Sequence, residues 1–216
     1  MNRELYLILG LSIVIAATIG LIRFRKIEKT YRPFLIYVFV SVLNELGSFY
    51  LAPHKESAMI DLNLFTLFEY CILLLQFHSW KLFHGYKQLF YALLAGFVIL
   101  WVTENLVISD IRRYNYAYIL VHSFVMVLLG INMINRIAVN DYGPLYRNAR
   151  FIICIGLIIF FIYNIIVNTL FLNAASKPLA IRFFNIRVYV NTFSNLLYAI
   201  AVYFMPVAVK KISFLK

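Results

Sequence analysis

The stretch NLFTLFEYCILLLQF, residues 63–77, sets one carboxylate, Glu69, inside an otherwise lipid-soluble run. It holds no glycine or proline to interrupt a helix. With the residues before it, the apolar segment reaches 58–77, and about twenty residues are what a helix needs to cross a hydrocarbon core of roughly 30 Å. The same pattern recurs in both directions along the chain, at 5–22, 33–52, 88–108, 114–134, 151–172 and 185–207, making seven segments. The joints carry Lys, Arg, His, Pro or Gly, as in RFRKIEKTYRP, APHKES, HSWKLFHGYK, SDIRR, NRIAVNDYGPLYRNAR and NAASKPLAIR.

Bulk composition agrees. The chain is 63% hydrophobic and 13% charged, with a mean hydropathy of +0.84, whereas a soluble domain is about a quarter charged. The expectation is an all-α polytopic membrane protein, residues 1–216 forming a single seven-helix transmembrane domain with no soluble domain. The expected setting is a bacterial plasma membrane. Counting Lys and Arg on alternate sides gives thirteen around 23–32, 78–87, 135–150 and the tail after 207, against seven opposite. Cytoplasmic loops retain positive charge, so the N-terminus is expected outside and the C-terminus inside. Arg3 precedes the first apolar run, but the run is long and the heavy cluster follows it, as in a retained, reversed anchor rather than a cleaved signal peptide.

The net charge of +11 sits at segment ends, as orientation requires, which argues against nucleic acid as a partner. The cluster RFRKIEKTYR also suits anionic lipid headgroups. Cys71 and Cys154 fall inside spans without CxxC spacing and are expected to be neither disulfide partners nor metal ligands. His54, His78 and His84 show no metal-binding spacing. Neither a metal nor another cofactor is expected.

A weak parallel 3+1+3 repeat is legible between NLFTLFEYCI and NTFSNLLYAI, which match at Asn63/Asn191, Phe65/Phe193, Tyr70/Tyr198 and Ile72/Ile200. Asn44 and Asn168 also stand at similar depth in the second and sixth spans. Glycine and proline are scarce, eight and five, and the prolines fall at or beyond span ends, so continuous helices with little hinge are expected.

The polar residues inside the spans are concentrated in the outer half. Residues three or four apart share a helix face, which groups Ser41 with Glu45, Tyr118 with His122, Asn164 with Asn168, and Asn191 with Ser194, Asn195 and Tyr198. A fifth group runs Asn63, Thr66, Glu69 and Tyr70, while Glu104 and Asn105 close the outer end of the fourth span. In the inner half Gln76 and Asn132 are the clearest polar members. A charge at the bilayer centre costs ~2.5–3.5 kcal/mol on insertion scales, which favours turning these groups inward. They are expected to surround an outward-facing polar pocket, with Glu45, Glu69, His122, Asn164, Asn168, Asn191 and Asn195 as ligand-binding candidates and Arg187 near its mouth. Glu45 and Glu69, removed from water, are expected to be protonated and to donate a hydrogen bond to an Asn or to His122. The alternative is structural: Asn, Ser and Tyr commonly hydrogen-bond across helices.

Catalytic signatures are missing, among them HExxH, GxSxG, a P-loop, a Gly-rich dinucleotide turn and paired aspartates suited to Mg²⁺. No lysine stands inside the seventh span to carry a retinal Schiff base. VNTFSNLLYAI shares an NTxSN string with alkaline ceramidases, intramembrane zinc amidases. There it lies in the first span and is accompanied by a histidine cluster; here it lies in the last, without one, and no amidase chemistry is carried over. The pattern of LNELGSFY, NLFTLFEY and NLLYAIA resembles small bacterial seven-helix membrane proteins. More loosely, it resembles the N-out seven-helix input modules of membrane histidine kinases.

These readings lead to a module that senses a small ligand or proton from the outer side and signals through a cytoplasmic or membrane protein partner. The alternatives are a small 3+1+3 transporter, a structural subunit of a membrane complex, and an enzyme using the same acids.

Overall fold

The computed structural model describes residues 3–141, 143–172 and 177–208. Residues 173–176 of the joint NAASKPLAIR, and Lys210, Lys211 and Lys216 of the basic tail, lie outside the described residues. Eight α-helices follow one another: α1 Arg3–Gly10, α2 Ile13–Arg23, α3 Arg32–Leu51, α4 Lys55–Ser79, α5 Lys87–Val102, α6 Tyr116–Asn140, α7 Ala149–Leu172 and α8 Lys177–Phe204. Among the described residues there is no strand, only one isolated antiparallel bridge between Ile27 and Val207. Five segments, Lys29–Leu51, Lys55–Ser79, Lys87–Ile108, Tyr116–Asn140 and Ala149–Leu172, are long and apolar enough to cross a membrane, as an integral membrane protein requires. The helix α8 runs 28 residues.

Helix ends follow the prolines. Pro33 stands at the start of α3, where its missing N–H removes no helical bond, and Pro206 lies just past the end of α8. Continuity fails at two places. The segment read as one span over 5–22 is split into α1 and α2, because the carbonyl of Leu9 is taken by the Ser12 N–H at 3.2 Å and by Thr192 Oγ1 at 3.0 Å. Backbone bonds there contract to three-residue reach. After Val102, α5 widens into a π-helical turn at Thr103–Ile108.

Burial departs from that of a water-soluble domain in an apolar periphery around an interior that also holds polar groups. Leu43, Ile99, Val107, Phe124 and Tyr203 are each more than half exposed, whereas Asn63, Glu69, Gln76, His122 and Ser194 are buried. Such a periphery suits lipid tails, while the interior holds polar side chains, some of them, such as His122 Nε2 and Ser194 Oγ, without a protein partner among the described residues. Around the bundle α2 packs on α3, α3 on α4, α6 on α7, α7 on α8, and α8 returns to α2. Since α4 also touches α6 directly, α5 lies at the periphery, burying only Phe90, Phe97 and Trp101.

Two ends can be told apart. At one, rich in Arg and Lys and here termed the basic end, Arg23 at the close of α2 donates to the carbonyls of Val202 at 2.7 Å, Met205 at 3.0 Å and Tyr203. A guanidinium suits the negative end of α8's dipole. The chain on either side is clipped by Glu28 N–H to Pro206 O at 3.0 Å and Ala208 N–H to Lys26 O at 2.7 Å. Gln76 fixes α4 to the start of α3, accepting from the Phe34 N–H and donating to Thr30 O, both at 2.7 Å. At the far end Asn63 Nδ2 donates to the carbonyls of Ile111 and Arg113 at 2.7 and 2.8 Å, and Trp101 Nε1 donates to Asn63 O at 2.8 Å.

Candidate functional site

Between α3, α4, α6, α7 and α8 lies a polar cavity of about 130 Å³, room for a short chain of waters or a small molecule. Glu45, Glu69, His122, Asn164, Asn191 and Asn195 all line it, together with Arg187. Exposure rises along its length. Glu69 and His122 are buried, while Glu45, Ser48 and Arg187 towards the far end are partly exposed. Asn168 does not reach it: its Nδ2 turns back along α7 to the Asn164 carbonyl at 2.7 Å.

At the deep end Glu69, 4% exposed, accepts a hydrogen bond from Tyr37 Oη at 3.2 Å on Oε1. Tyr37 belongs to α3, and the spacing of four residues to Ser41 and Glu45 puts all three on one face. Behind Tyr37 the cavity is floored by rings. Phe34 lies 5.7 Å from the Tyr37 ring and 5.3 Å from Tyr198, with Tyr37 and Tyr198 6.2 Å apart, the contacts to Tyr198 being edge-to-face. Tyr198 fits because α7 offers Gly156 opposite it, where a β-carbon would come within 2.6 Å of Tyr198 Cε1.

Nearer the mouth Asn191 Nδ2 donates to Glu45 Oε1 at 3.2 Å, and Asn195 Nδ2 donates to Ser12 Oγ at 3.0 Å. Both bonds hold α8 to its neighbours while their owners line the cavity. Glu45 Oε2 rests against Gly10 at the α1–α2 break, where a β-carbon would approach to 2.7 Å. The carboxylate therefore occupies space that only glycine leaves open. Arg187, whose charge acts on both Glu45 and Glu69, is the one Lys or Arg among the described lining residues.

His122 stands in an aromatic cage. Its ring meets Tyr70 edge-on at 5.4 Å and Phe161 at 5.0 Å, and its Nε2 has no protein partner among the described residues. The hydrogen-bond partner of Glu69 is thus Tyr37, which donates to it; no hydrogen bond in either direction between Glu69 and an Asn or His122 occurs among the described residues.

The expected polar groupings are redistributed in two respects. Asn63 and Tyr70 leave the Glu69 face: Asn63 anchors the far-end loop, and Tyr70 stacks on Phe97 of α5 at 4.1 Å. Glu104 serves α6 instead of the cavity, its Oε2 accepting the Tyr118 N–H at 2.6 Å in the helix's first turn, where a carboxylate satisfies an otherwise unpaired donor. Ser48, Ser123, Phe160 and Phe161 also line the cavity, none of them picked out by charge or motif. Tyr37 was legible in principle, one turn before Ser41.

Cys71 and Cys154 are free thiols, and no cluster of three or more His, Cys, Asp or Glu suited to a metal occurs among the described residues. No protein family matches the chain, and neither the curated proteins nor the solved structures offer a match.

Proposed function

We propose that the chain is a sensing module of a bacterial plasma membrane, oriented N-out and C-in, with no catalytic step of its own. It binds a small ligand or a proton in the cavity from the outer side and passes its state to a separate protein at the basic end. The observation that carries this reading is the link from the cavity to the ring layer. Buried Glu69 lines the cavity, and its partner Tyr37 packs on Tyr198 and Phe34. Those rings belong to the stretches of α8 and α3 that lead to the Arg23 and Gln76 clamps. A change in what Glu69 holds therefore bears on Tyr37, then on the ring layer, then on the chain around 24–31 and 205–208. Glu45, His122, Asn164, Asn191 and Asn195 supply the remaining polar contacts to the ligand.

A transporter needs a route past the floor. The ring layer and the Gln76 clamp behind it favour sensing over alternating access. The test is hydrogen–deuterium exchange on the full chain in lipid nanodiscs, wild type against Glu69→Gln, which keeps the side chain's shape and removes its charge. Altered exchange at both the cavity and the basic-end segments is expected. Changes confined to the cavity would remove the signalling reading, and solute flux in reconstituted vesicles would put the transporter in its place.

A further inference from the structure

A second cleft, of about 400 Å³, lies at the basic end, where the α4–α5 turn meets α6 and α7. Lys81, Arg136 and Arg150 reach it from those three elements, and Glu28 and Asp141 line it as well. Both carboxylates are held by neutral donors: Thr30 Oγ1 to Glu28 Oε1 at 2.9 Å, and Asn148 Nδ2 to Asp141 Oδ2 at 2.7 Å. No ion pair joins any of the five charged groups among the described residues. Three cations thus face two carboxylates, and the cleft keeps an excess of positive charge.

The backbone is chosen to put a lysine there. The helix α4 ends with Leu82 N–H to Phe77 O at 3.1 Å and Lys81 N–H to His78 O at 2.9 Å, the paired bonds of a Schellman ending. Its left-handed position is ordinarily glycine, yet Lys81 occupies it at φ 61°. The same connection does use glycine at its other left-handed position, Gly85 at φ 95°. The unfavourable backbone at Lys81 thus stands on the wall of a charged cleft. Its carbonyl, turned by the same conformation, accepts Arg136 Nη1 at 2.6 Å and steadies that guanidinium. Arg150 lies in the first turn of α7, whose positive dipole end adds to the field.

We infer that this cleft binds a phosphate group, with Lys81 and Arg150 as its charged ligands and Arg136 positioned beside them through the Lys81 carbonyl. Cations that serve only to orient a membrane protein need neither a cleft nor a strained backbone. The phosphate belongs either to an anionic phospholipid headgroup at this membrane face or to a soluble compound.

The experiment uses the full chain in a non-ionic detergent and follows its thermal unfolding midpoint. One arm titrates inorganic phosphate at constant ionic strength; a second titrates short-chain phosphatidylglycerol; a third, the diacylglycerol of the same chain length. The midpoint is expected to rise with a phosphate-bearing titrant and not with diacylglycerol. A rise with phosphatidylglycerol alone assigns the headgroup, and a rise with inorganic phosphate as well assigns the soluble group. Lys81→Gly is expected to unfold later than wild type without ligand, since it relieves the backbone, and to need roughly tenfold more titrant for the same response. Arg150→Gln should weaken the response similarly without the first effect. Equal responses to diacylglycerol, no response in any arm, or wild-type titration by both variants would overturn the site.

Discussion

Removing the Tyr37 hydroxyl isolates the contact at the bottom of the cavity. In Tyr37→Phe the ring keeps its place against Phe34 and Tyr198, while Glu69 Oε1 loses its donor. At 3.2 Å the bond is longer than the usual 2.7–2.8 Å for O–H···O, so intact it is worth the lower part of the ordinary range, about 0.5–1 kcal/mol. Its loss costs more than that, because a buried acceptor left without a partner carries a penalty of about 1–3 kcal/mol. Glu69 also borders the cavity, and the net loss expected is about 1–2 kcal/mol. The measurement is reversible unfolding in mixed dodecyl sulfate and maltoside micelles, followed by far-ultraviolet circular dichroism. Tyr37→Phe, Glu69→Leu and the double variant form a cycle. The hydroxyl should cost nothing further once the carboxyl is gone, leaving a coupling energy of about 1 kcal/mol or more. Single effects that add to within about 0.3–0.5 kcal/mol would mean that Tyr37 and Glu69 do not act on one another, and the proposed path out of the cavity would lose its first step.

Two further substitutions probe the basic side of the cavity by the same unfolding assay. Gln76→Leu strands the Phe34 N–H and the Thr30 carbonyl together, and should destabilise by about 2 kcal/mol or more; a loss within about 0.5 kcal/mol would show that the clamp is dispensable. Gly156→Ala gains about 1 kcal/mol of helix propensity but drives a methyl group into the Tyr198 ring, where overpacking costs about 1–3 kcal/mol; a net loss of about 1 kcal/mol is expected, and a stabilised variant would mean that the ring layer yields freely.

The helical segments were legible because hydropathy over about twenty residues is a strong signal. The break within the first segment was not, since it depends on Thr192, 183 residues away, reaching the Leu9 carbonyl. Much of the cavity could be read because Glu45, Glu69 and the asparagines are expensive to leave in lipid. The grouping of Asn63 and Tyr70 with Glu69 went too far. At roughly 100° per residue Asn63 and Tyr70 lie only about 20° apart, but each lies about 100–120° from Glu69, so they face a different neighbour. Glu104 was beyond sequence reasoning of this kind. Its role depends on the π-helical turn and the following loop, which bring it back to the start of α6. Tyr37, by contrast, carries no polar signal of its own, since an aromatic residue in a membrane span reads as packing or interface.

The return of α8 onto α2 has a consequence for biosynthesis. Arg23, Ser12 and Glu45 all emerge from the ribosome well before the residues that satisfy them, Asn191 following Glu45 by 146 positions. At roughly 5–20 residues per second that interval is on the order of 7–30 s, during which the early helices are in the membrane with an acid and a hydroxyl still unmatched. Nascent chains stalled before α8 therefore lack the partners of these polar groups, and completion of the last helix supplies them.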